Sequence, residues 1–266
     1  MIILNAKEIL PSFKEALKEK SLETPLSFLL YSEKENADCQ SYIKSIKRML
    51  DAFDIPYTES FYDNNKTDDE NLLNFKEEIQ NRAVLIARPL PTRREEDFIR
   101  LIPSAQDPDM LTEINRGKLY GGDLSYLPAT AKSVLKIMEY FRLSSQGKKV
   151  TILGRSISVG LPLFEYFLKS DATVTLCHSK TTKEDLKNAV MQCDILVLAT
   201  GVKNLIDSSW LDSSKIIIDC GFGNGSGDLN FIPNENQAYA YTPVPGGVGV
   251  LTSYCLLENA FIIRNK

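Results

Sequence analysis

The spacing of apolar residues changes near the middle of the chain, and the two parts predict two different arrangements. The first part contains two short apolar runs typical of strands and two helix-spaced runs, at residues 26–31, 83–86, 39–53 and 70–78. An Asn- and Asp-rich stretch at residues 63–69 is typical of a polar surface loop. This part is therefore predicted to form a small α/β domain.

From Lys148 onward, strand-like and helix-like runs alternate regularly. The predicted strands are residues 149–153, 172–177, 195–199 and 216–219, and the predicted helices are residues 161–169 and 183–189. Strands of continuous β-branched and leucine residues, alternating with helices, indicate a parallel sheet that is covered on both faces. This pattern is typical of nucleotide-binding domains.

A two-domain α/β protein follows from these patterns. A helix over residues 129–141 links the two parts, and an apolar helix over residues 251–263 is expected to pack back against the first domain. The predicted domains are residues 1–125, together with the closing segment 247–266, and residues 126–246.

Composition and charge limit the function further. The 266 residues are 43% hydrophobic and 25% charged, and the formal net charge of -4 is opposite to the basic excess of nucleic-acid-binding surfaces. No apolar run approaches the roughly 20 residues needed to span a bilayer, and the amino terminus lacks the charged-then-apolar pattern of a signal peptide. We therefore expect a cytoplasmic protein that binds neither nucleic acid nor a membrane.

Cysteine and histidine usage argues against a disulfide framework and against a metal site. The five cysteines are scattered without a Cys-x-x-Cys pair and are predicted to be reduced thiols. His178 is the single histidine of the sequence, which removes histidine-based zinc sites and triads centred on histidine from consideration. No metal site is expected.

The stretch from Thr242 to Gly249, with the sequence TPVPGGVG, is the most informative local signal. Its prolines preset φ and lack an N–H group, whereas its glycines allow positive φ and leave no Cβ between the backbone and a bound molecule. A helix-spaced apolar run follows, so the free N–H groups of a helix start are expected to face whatever the loop encloses. The loop is therefore predicted to approach a ligand.

A second glycine-containing turn, residues 154–160, lies between a predicted strand and a predicted helix. That is the context of a dinucleotide-binding turn, although the three-glycine fingerprint is incomplete. The next strand ends without the acid that holds the ribose of NAD, and Lys180 lies nearby, so the site is predicted to favour the extra phosphate of NADP. The cofactor-binding candidates at this sheet edge are Gly154, Arg155, Ser156, Val159, Ser179, Thr200, Gly201 and Phe222.

Taken in order, these motifs resemble the methylenetetrahydrofolate dehydrogenase/cyclohydrolase family. The resemblance is carried by the turn at residues 154–160, residues 177–181, Asp219-Cys220-Gly221, the Thr242–Gly249 loop, Asp107-Pro108-Asp109 and residues 112–119. It covers essentially the whole chain. It implies a folate-binding domain and an NADP-binding Rossmann domain with a cleft between them, usually in a homodimer.

The resemblance also implies roles for individual residues. Asp109 would bind the aminopyrimidine edge of the pterin, since a carboxylate accepts two parallel N–H bonds. Tyr42 matches the active-site tyrosine of the family, which stacks on the folate or hydrogen-bonds to it. Pro243, Gly246 and Gly247 would line the folate and nicotinamide side of the site. Tyr42 and Asp109 are the catalytic candidates.

The sequence departs from the family mainly in the folate site. The family's catalytic lysine lies four residues after the tyrosine, where this chain has Ile46, and Lys47 is rotated by about 100° around a helix. The glutamine of the family's QLPLP segment is Ala87, with Arg88 next to it, and the glycine after the second aspartate is Met110.

These departures affect the two reactions of the family differently. Hydride transfer requires chiefly the alignment of two carbons, whereas hydrolysis of the methenyl cation needs a base such as lysine. We therefore expect NADP-dependent oxidation of methylene-tetrahydrofolate to methenyl-tetrahydrofolate in one-carbon metabolism, with the dehydrogenase retained rather than the cyclohydrolase. Two alternatives stay open: the full bifunctional enzyme, in which Lys44, Lys47 or Arg88 reaches the substrate, and a nucleotide-binding paralogue without turnover.

Overall fold

The structure, a computed structural model, describes residues 1–221 and 226–264. The chain divides into two compact units. The large unit comprises residues 1–13 and 127–255, and the small unit comprises residues 14–126 and 256–266. Among the described residues, no helix has the length and apolar character needed to cross a bilayer.

The secondary structure alternates between strands and helices along most of the chain. The strands are β1 (Ile2–Ile3), β2 (Phe28–Glu33), β3 (Tyr57–Tyr62), β4 (Ala83–Ile86), β5 (Lys149–Leu153), β6 (Thr173–Cys177), β7 (Ile195–Leu198), β8 (Ile216–Asp219) and β9 (Ala240–Tyr241). The α-helices are α1 (Leu10–Glu23), α2 (Ala37–Asp51), α3 (Asp68–Ile79), α4 (Glu95–Leu101), α5 (Glu113–Tyr120), α6 (Ala129–Tyr140), α7 (Gly160–Lys169), α8 (Lys183–Gln192) and α9 (Gly249–Arg264).

The large unit contains a six-stranded parallel sheet in the order β1-β9-β8-β7-β5-β6. The central strand β7 is buried at every residue, and β5 and β8 are buried at all but one, because their apolar side chains are covered on both faces. After β5 the chain adds β6 on one side and then β7 on the other. The carboxyl ends of β5 and β7 thus form the point where the strand order reverses, which is where open α/β sheets bind ligands.

The small unit contains a three-stranded parallel sheet in the order β3-β2-β4. The ring of Tyr31 on β2 packs against Phe75 of α3 and Phe98 of α4, with ring centroids 4.6 and 5.7 Å apart. Aromatic contacts of this kind bury a large apolar area. They hold α3 and α4 against the central strand and so fix the loop between β4 and α4.

Polar side chains determine where several helices begin. Asn36 accepts hydrogen bonds from two backbone N–H groups in the first turn of α2. Thr67 and Glu70 form a capping box at the start of α3. Each cap satisfies N–H groups that have no partner within the helix. The capping box also explains why the polar loop predicted over residues 63–69 ends at Thr67.

Most of the predicted elements are present. The bounds of β4, β5 and β8 are as predicted, whereas β2 lies two residues later and α2 two residues earlier than expected. The elements absent from the prediction are β1, β3, β9, α1, α4 and α5. β3 is an edge strand of mixed residues, and helices as short as α4 and α5 depend on tertiary contacts more than on their own sequence.

Candidate functional site

A tight glycine turn joins β5 to α7. Gly154 has φ +114°, and a Cβ at this position would lie 2.1 Å from the carbonyl oxygen of Ala199. A Cβ on Gly160 would lie 2.0 Å from the carbonyl oxygen of Gly154. Both positions therefore exclude a side chain, and the turn packs directly against the end of β7. Such a bare backbone is what lets a dinucleotide pyrophosphate approach closely.

The other residues of this turn differ in exposure. Arg155 and Ser156 are exposed, and Val159 is half-buried. The hydroxyl of Ser156 accepts a hydrogen bond from the backbone N–H of Val159 at 3.2 Å, which closes the turn before α7. Arg155 thus adds a guanidinium group to the exposed side of the turn, and guanidinium groups bind phosphate strongly.

The end of β6 lies beside the glycine turn. The backbone N–H of Gly154 donates to the carbonyl oxygen of Cys177 at 2.9 Å. Just beyond, the Nδ1 atom of His178 accepts a hydrogen bond from the backbone N–H of Lys180 at 3.1 Å, which shapes the turn that carries Ser179. Ser179 is exposed. The structure therefore brings Ser179 to the same sheet edge as Gly154.

The end of β7 forms the next wall of this edge. Thr200 is half-buried, and Gly201 is exposed with φ +67°. Their backbone N–H groups both donate to the carboxylate of Asp228, at 2.7 and 3.0 Å. Because Ala199 touches the glycine turn, the structure brings Thr200 and Gly201 next to it. Phe222, the remaining predicted cofactor residue, lies outside the described residues.

The loop that follows β9 begins at the same sheet. The hydroxyl of Thr242 accepts a hydrogen bond from the backbone N–H of Asp219 at 2.7 Å. Gly246 has φ +119°, and a Cβ on Gly247 would lie 2.6 Å from the carbonyl oxygen of Pro243. A cavity of about 370 Å³ adjoins this loop, and Thr242 and Pro243 belong to its lining. The predicted passage from a glycine loop into the closing helix is present.

In the small unit, Tyr42 lies within electrostatic reach of Asp109 and Arg88. Tyr42 and Asp109 are both half-buried. Burial raises the pKa of the Tyr42 phenol well above its usual value, the Asp109 carboxylate raises it further, and the Arg88 guanidinium acts in the opposite direction. The phenol therefore stays protonated near neutral pH and can donate a hydrogen bond.

Arg88 is fixed by an ion pair with α4. Its Nη1 atom lies 3.2 Å from Oε1 of Glu95, and Oε2 of Glu95 accepts a hydrogen bond from the backbone N–H of Leu90 at 2.8 Å. From α2, the thiol of Cys39 donates to the carbonyl oxygen of Ala87 at 3.5 Å. The segment after β4 is thus held by two helices, and Arg88 has a defined position.

The position at which the family resemblance predicts a lysine is occupied by Ile46, a core residue. Ile46 lies one helical turn after Tyr42 on α2 and is fully buried. The Nζ atom of Lys47 lies 2.5 Å from Oε1 of Glu59 on β3, and Lys44 is exposed. Because α2 is a continuous helix, Lys47 does not share the face of Tyr42 and Ile46.

The loop that carries Asp109 is anchored on both sides. Asp107 is buried, and its carboxylate accepts hydrogen bonds from the two backbone N–H groups that precede α5, at 3.1 and 2.8 Å. The side-chain amide of Asn259, on α9, donates to the carbonyl oxygen of Pro108 at 2.9 Å. Met110, at the position where the resemblance predicts glycine, is fully buried and has φ +57°.

Two residues that shape these sites were absent from the sequence prediction. Glu95 and Asp228 are acids that hold the backbone N–H groups of a loop, and such acids have no characteristic spacing in a sequence. The Gly227-Asp228 pair is a weak signal, because glycine often stands where the backbone meets a side chain closely. A Cβ on Gly227 would lie 2.1 Å from Oδ2 of Asp219.

Comparison with known proteins gives one consistent result. Residues 128–266 match the family model of the tetrahydrofolate dehydrogenase/cyclohydrolase NAD(P)-binding domain. The bifunctional protein FolD of Clostridium botulinum (strain Eklund 17B / Type B) is 33% identical over 267 residues, which cover 97% of this chain and 94% of that relative.

Solved structures agree with this result. The bifunctional enzyme FolD, methylenetetrahydrofolate dehydrogenase/cyclohydrolase, from Campylobacter jejuni has a TM-score of 0.89 and 29% identity, covering 100% of this chain and 99% of that one. The Trypanosoma brucei methylenetetrahydrofolate dehydrogenase-cyclohydrolase, complexed with NADP cofactor and inhibitor, has a TM-score of 0.88 and 25% identity, covering 100% and 97%. The predicted fold class, a two-domain α/β protein with a Rossmann-type parallel sheet, is confirmed.

Proposed function

The chain belongs to the tetrahydrofolate dehydrogenase/cyclohydrolase family, and we propose that within it the dehydrogenase step is retained while the cyclohydrolase step is weak or absent. The enzyme oxidises methylene-tetrahydrofolate to methenyl-tetrahydrofolate with NADP, as part of one-carbon metabolism. The roles of individual residues and the loss of the second step are proposals that rest on the geometry of the two units.

The glycine turn of the large unit fits NADP. Gly154 and Gly160 leave the space that the pyrophosphate needs, since a Cβ at either position would collide with backbone atoms. When bound, NADP supplies the nicotinamide ring that accepts the hydride. Arg155 and Ser179, both exposed, offer a guanidinium and a hydroxyl group to the 2′-phosphate. We assign nucleotide binding to Gly154, Arg155, Ser156, Val159, Ser179, Thr200 and Gly201, and retain Phe222 as a prediction from the sequence.

The small unit offers matching polar groups to the folate. Asp109 can accept the paired N–H groups of the aminopyrimidine, and Tyr42 keeps a protonated hydroxyl that can donate to the substrate. Arg88, held by Glu95, adds a fixed positive charge near Tyr42. We assign substrate binding and a catalytic role to Tyr42 and Asp109, and retain Pro243, Gly246 and Gly247 of the large unit as substrate-binding predictions from the sequence.

The complete burial of Ile46 is the observation that carries the proposed loss of cyclohydrolase activity. Addition of water to the methenyl carbon requires a group that takes up and releases a proton. An isoleucine side chain cannot do so, and the ammonium group of Lys47 is paired with Glu59. Arginine is a poor base, so Arg88 can attract negative charge without taking up a proton from water.

Two assays on the purified full-length protein test the proposal. The first follows NADPH formation from methylene-tetrahydrofolate and NADP, and the second follows the decay of methenyl-tetrahydrofolate with and without protein. We expect clear NADPH formation and a methenyl decay rate within about twofold of buffer alone. Methenyl-tetrahydrofolate decay that is much faster with protein than in buffer would overturn the proposed loss of cyclohydrolase activity. Absence of NADPH formation would instead overturn the dehydrogenase assignment.

We further propose that the enzyme is a homodimer located in the cytoplasm. The dimer and the location are both supported by membership of this family, whose enzymes are usually dimeric and cytoplasmic. Light scattering coupled to size-exclusion chromatography should give a mass of twice 29.9 kDa. A mass of one chain would contradict the proposed dimer.

A further inference from the structure

Two buried carboxylates lie behind the sheet edge assigned to NADP. Asp219 is the last residue of β8, and Asp228 follows it nine residues later. Their residues are only 4% and 5% exposed. Burial of a carboxylate is unfavourable unless hydrogen bonds replace the lost water. The partners of these two side chains therefore show what they stabilise.

Asp228 holds the end of β7. Its Oδ2 atom accepts three hydrogen bonds: from the backbone N–H of Thr200 at 2.7 Å, from the hydroxyl of Thr200 at 2.9 Å, and from the backbone N–H of Gly201 at 3.0 Å. All three lengths lie within the normal range of protein hydrogen bonds. One oxygen atom thus determines the path of both residues.

Asp219 in turn holds Asp228 in place. Its Oδ1 atom accepts hydrogen bonds from the backbone N–H groups of Gly221 at 2.8 Å and Asp228 at 3.0 Å, and its Oδ2 atom accepts one from Leu229 at 2.9 Å. The backbone N–H of Asp219 donates to the hydroxyl of Thr242 at 2.7 Å. A continuous set of hydrogen bonds therefore connects the Thr242 loop to the end of β7.

Among the described residues, backbone atoms lie close to both oxygens of the Asp228 carboxylate. A Cβ on Gly221 would lie 2.4 Å from Oδ1 of Asp228, so glycine is required where the two segments meet. The other oxygen is fully used by Thr200 and Gly201. The contacts of Asp228 are therefore with the backbone, and it is through the backbone that it would act on a bound nucleotide.

The position of that backbone matters because the glycine turn packs against it. The carbonyl oxygen of Ala199 occupies the space where a Cβ of Gly154 would lie. A small shift of Ala199–Gly201 would therefore either collide with the Gly154 turn or open a gap beside it. We propose that Asp228, supported by Asp219, is a positioning residue that sets nucleotide affinity by fixing Thr200–Gly201 against the Gly154 turn. This inference rests on the NADP site described under the proposed function.

The test compares Asp228→Asn with Asp212→Asn in the full-length enzyme. Asp212 undergoes the same chemical change, but it lies before β8, at the opposite edge of the sheet, where it pairs with Lys215 at 3.2 Å. For Asp228→Asn we expect the Kd and KM for NADP to rise by about tenfold to a hundredfold, because small displacements of binding groups have effects of this size. The KM for methylene-tetrahydrofolate should stay within about twofold of that of the unaltered enzyme. Asp212→Asn should leave the Kd and the KM for NADP unchanged.

A pair of variants at Thr200 covers the case in which Asp228→Asn does not fold. Thr200→Val removes the hydroxyl donor to Asp228 at a nearly unchanged volume, whereas Thr200→Ser keeps it. We expect NADP affinity to fall several-fold in the valine variant and to be restored in the serine variant. Equal affinities of the two variants would overturn the inference.

Two further outcomes would overturn this inference, and a third tests the proposed NADP site separately. An Asp228→Asn protein that is folded by circular dichroism and binds NADP with unchanged Kd would overturn the inference. A rise of the KM for NADP and the KM for methylene-tetrahydrofolate by the same factor would also overturn it, because a general loosening of the folded structure predicts that result. Failure of the unaltered enzyme to bind NADP in calorimetry would refute the NADP site itself.

Discussion

Ile46 lies one helical turn after Tyr42 on α2, and its side chain is fully buried. The two side chains share one face of the helix, because residues four apart are neighbours on its surface. The position nearest to Tyr42 on this face is therefore part of the hydrophobic core. The adjacent lysine faces β3 instead, where it pairs with Glu59.

Replacement of Lys47 by methionine tests whether this lysine reaches the substrate. Its ammonium group is directed to Glu59. We therefore expect the rates of NADPH formation and of methenyl-tetrahydrofolate decay to stay within about twofold of those of the unaltered enzyme. Lys44→Met, at an exposed position of the same helix, is the matched control. A loss of methenyl hydrolysis in Lys47→Met, but not in Lys44→Met, would show that Lys47 takes part in a cyclohydrolase reaction.

Tyr42→Phe tests the hydroxyl group in the proposed folate site. Burial and the Asp109 carboxylate raise the pKa of Tyr42 well above its usual value. The phenol therefore remains protonated at every pH below the usual pKa of a tyrosine. We expect kcat/KM for methylene-tetrahydrofolate to fall about tenfold, by the same factor at every pH from about 6 to about 9. Steady-state kinetics at several pH values check this. A ratio that changes steadily across this range would contradict a protonated Tyr42.

The sequence allowed the large unit to be predicted better than the small one, for a physical reason. β5, β7 and β8 are continuous apolar runs covered on both faces, so composition alone reveals them. β3 lies at the edge of its sheet and mixes polar and apolar residues, and its pairing with β2 supplies the information that its sequence lacks. The position of an edge strand depends more on its partner strand, and less on its own sequence, than the position of a buried central strand does.

The same distinction applies to the candidate sites. Gly154 and Gly160 could be identified from the sequence because the backbone permits only glycine there. Asp228 could not, because its partner Thr200 becomes a neighbour only in the folded chain. Glu95 is close in sequence to its partner Leu90, but an acid at that distance from a backbone N–H has no characteristic pattern. The assignments of Tyr42 and the other site residues to particular ligand atoms remain predictions.

The ion pair between Arg88 and Glu95 should affect folate binding without affecting NADP binding. Both side chains are 22% exposed, and Glu95 also holds the backbone N–H of Leu90. We expect Arg88→Gln to raise the KM for methylene-tetrahydrofolate by about tenfold and to leave the KM for NADP unchanged. Glu95→Gln should also raise the KM for methylene-tetrahydrofolate, but by a smaller factor, because the glutamine amide oxygen can still accept the hydrogen bond from the backbone N–H of Leu90. A larger effect of Glu95→Gln than of Arg88→Gln would contradict the role given to Arg88.

Met110 combines an unfavourable backbone conformation with a buried side chain. Its φ of +57° costs about 1–2 kcal/mol for a residue with a Cβ, whereas the loss of a buried methionine side chain costs about 2–5 kcal/mol. We therefore expect both Met110→Ala and Met110→Gly to lower the free energy of unfolding. The glycine variant should be the more stable of the two by about 1 kcal/mol, because it removes the backbone strain. Urea denaturation measures the difference, and an alanine variant more stable than the glycine variant would contradict it.

Gly154→Ala should abolish tight NADP binding, and Gly147→Ala provides the matched control. Both glycines have positive φ, +114° and +70°, so alanine is strained at either position. A Cβ on Gly154 would lie 2.1 Å from the carbonyl oxygen of Ala199, whereas a Cβ on Gly147 would meet nothing within 4 Å. Both variants therefore carry backbone strain, which is larger at φ +114°, and the collision with Ala199 is specific to Gly154→Ala.

We expect Gly147→Ala to cost about 1 kcal/mol of stability, by strain alone, and to leave the Kd for NADP unchanged. Gly154→Ala should weaken NADP binding by more than about tenfold, because the turn must move away from Ala199 and with it the backbone that faces the phosphates. Calorimetric titration with NADP measures both variants. Equal NADP affinity in the two variants would mean that the collision at Gly154 is absorbed elsewhere, and that this turn does not determine nucleotide binding.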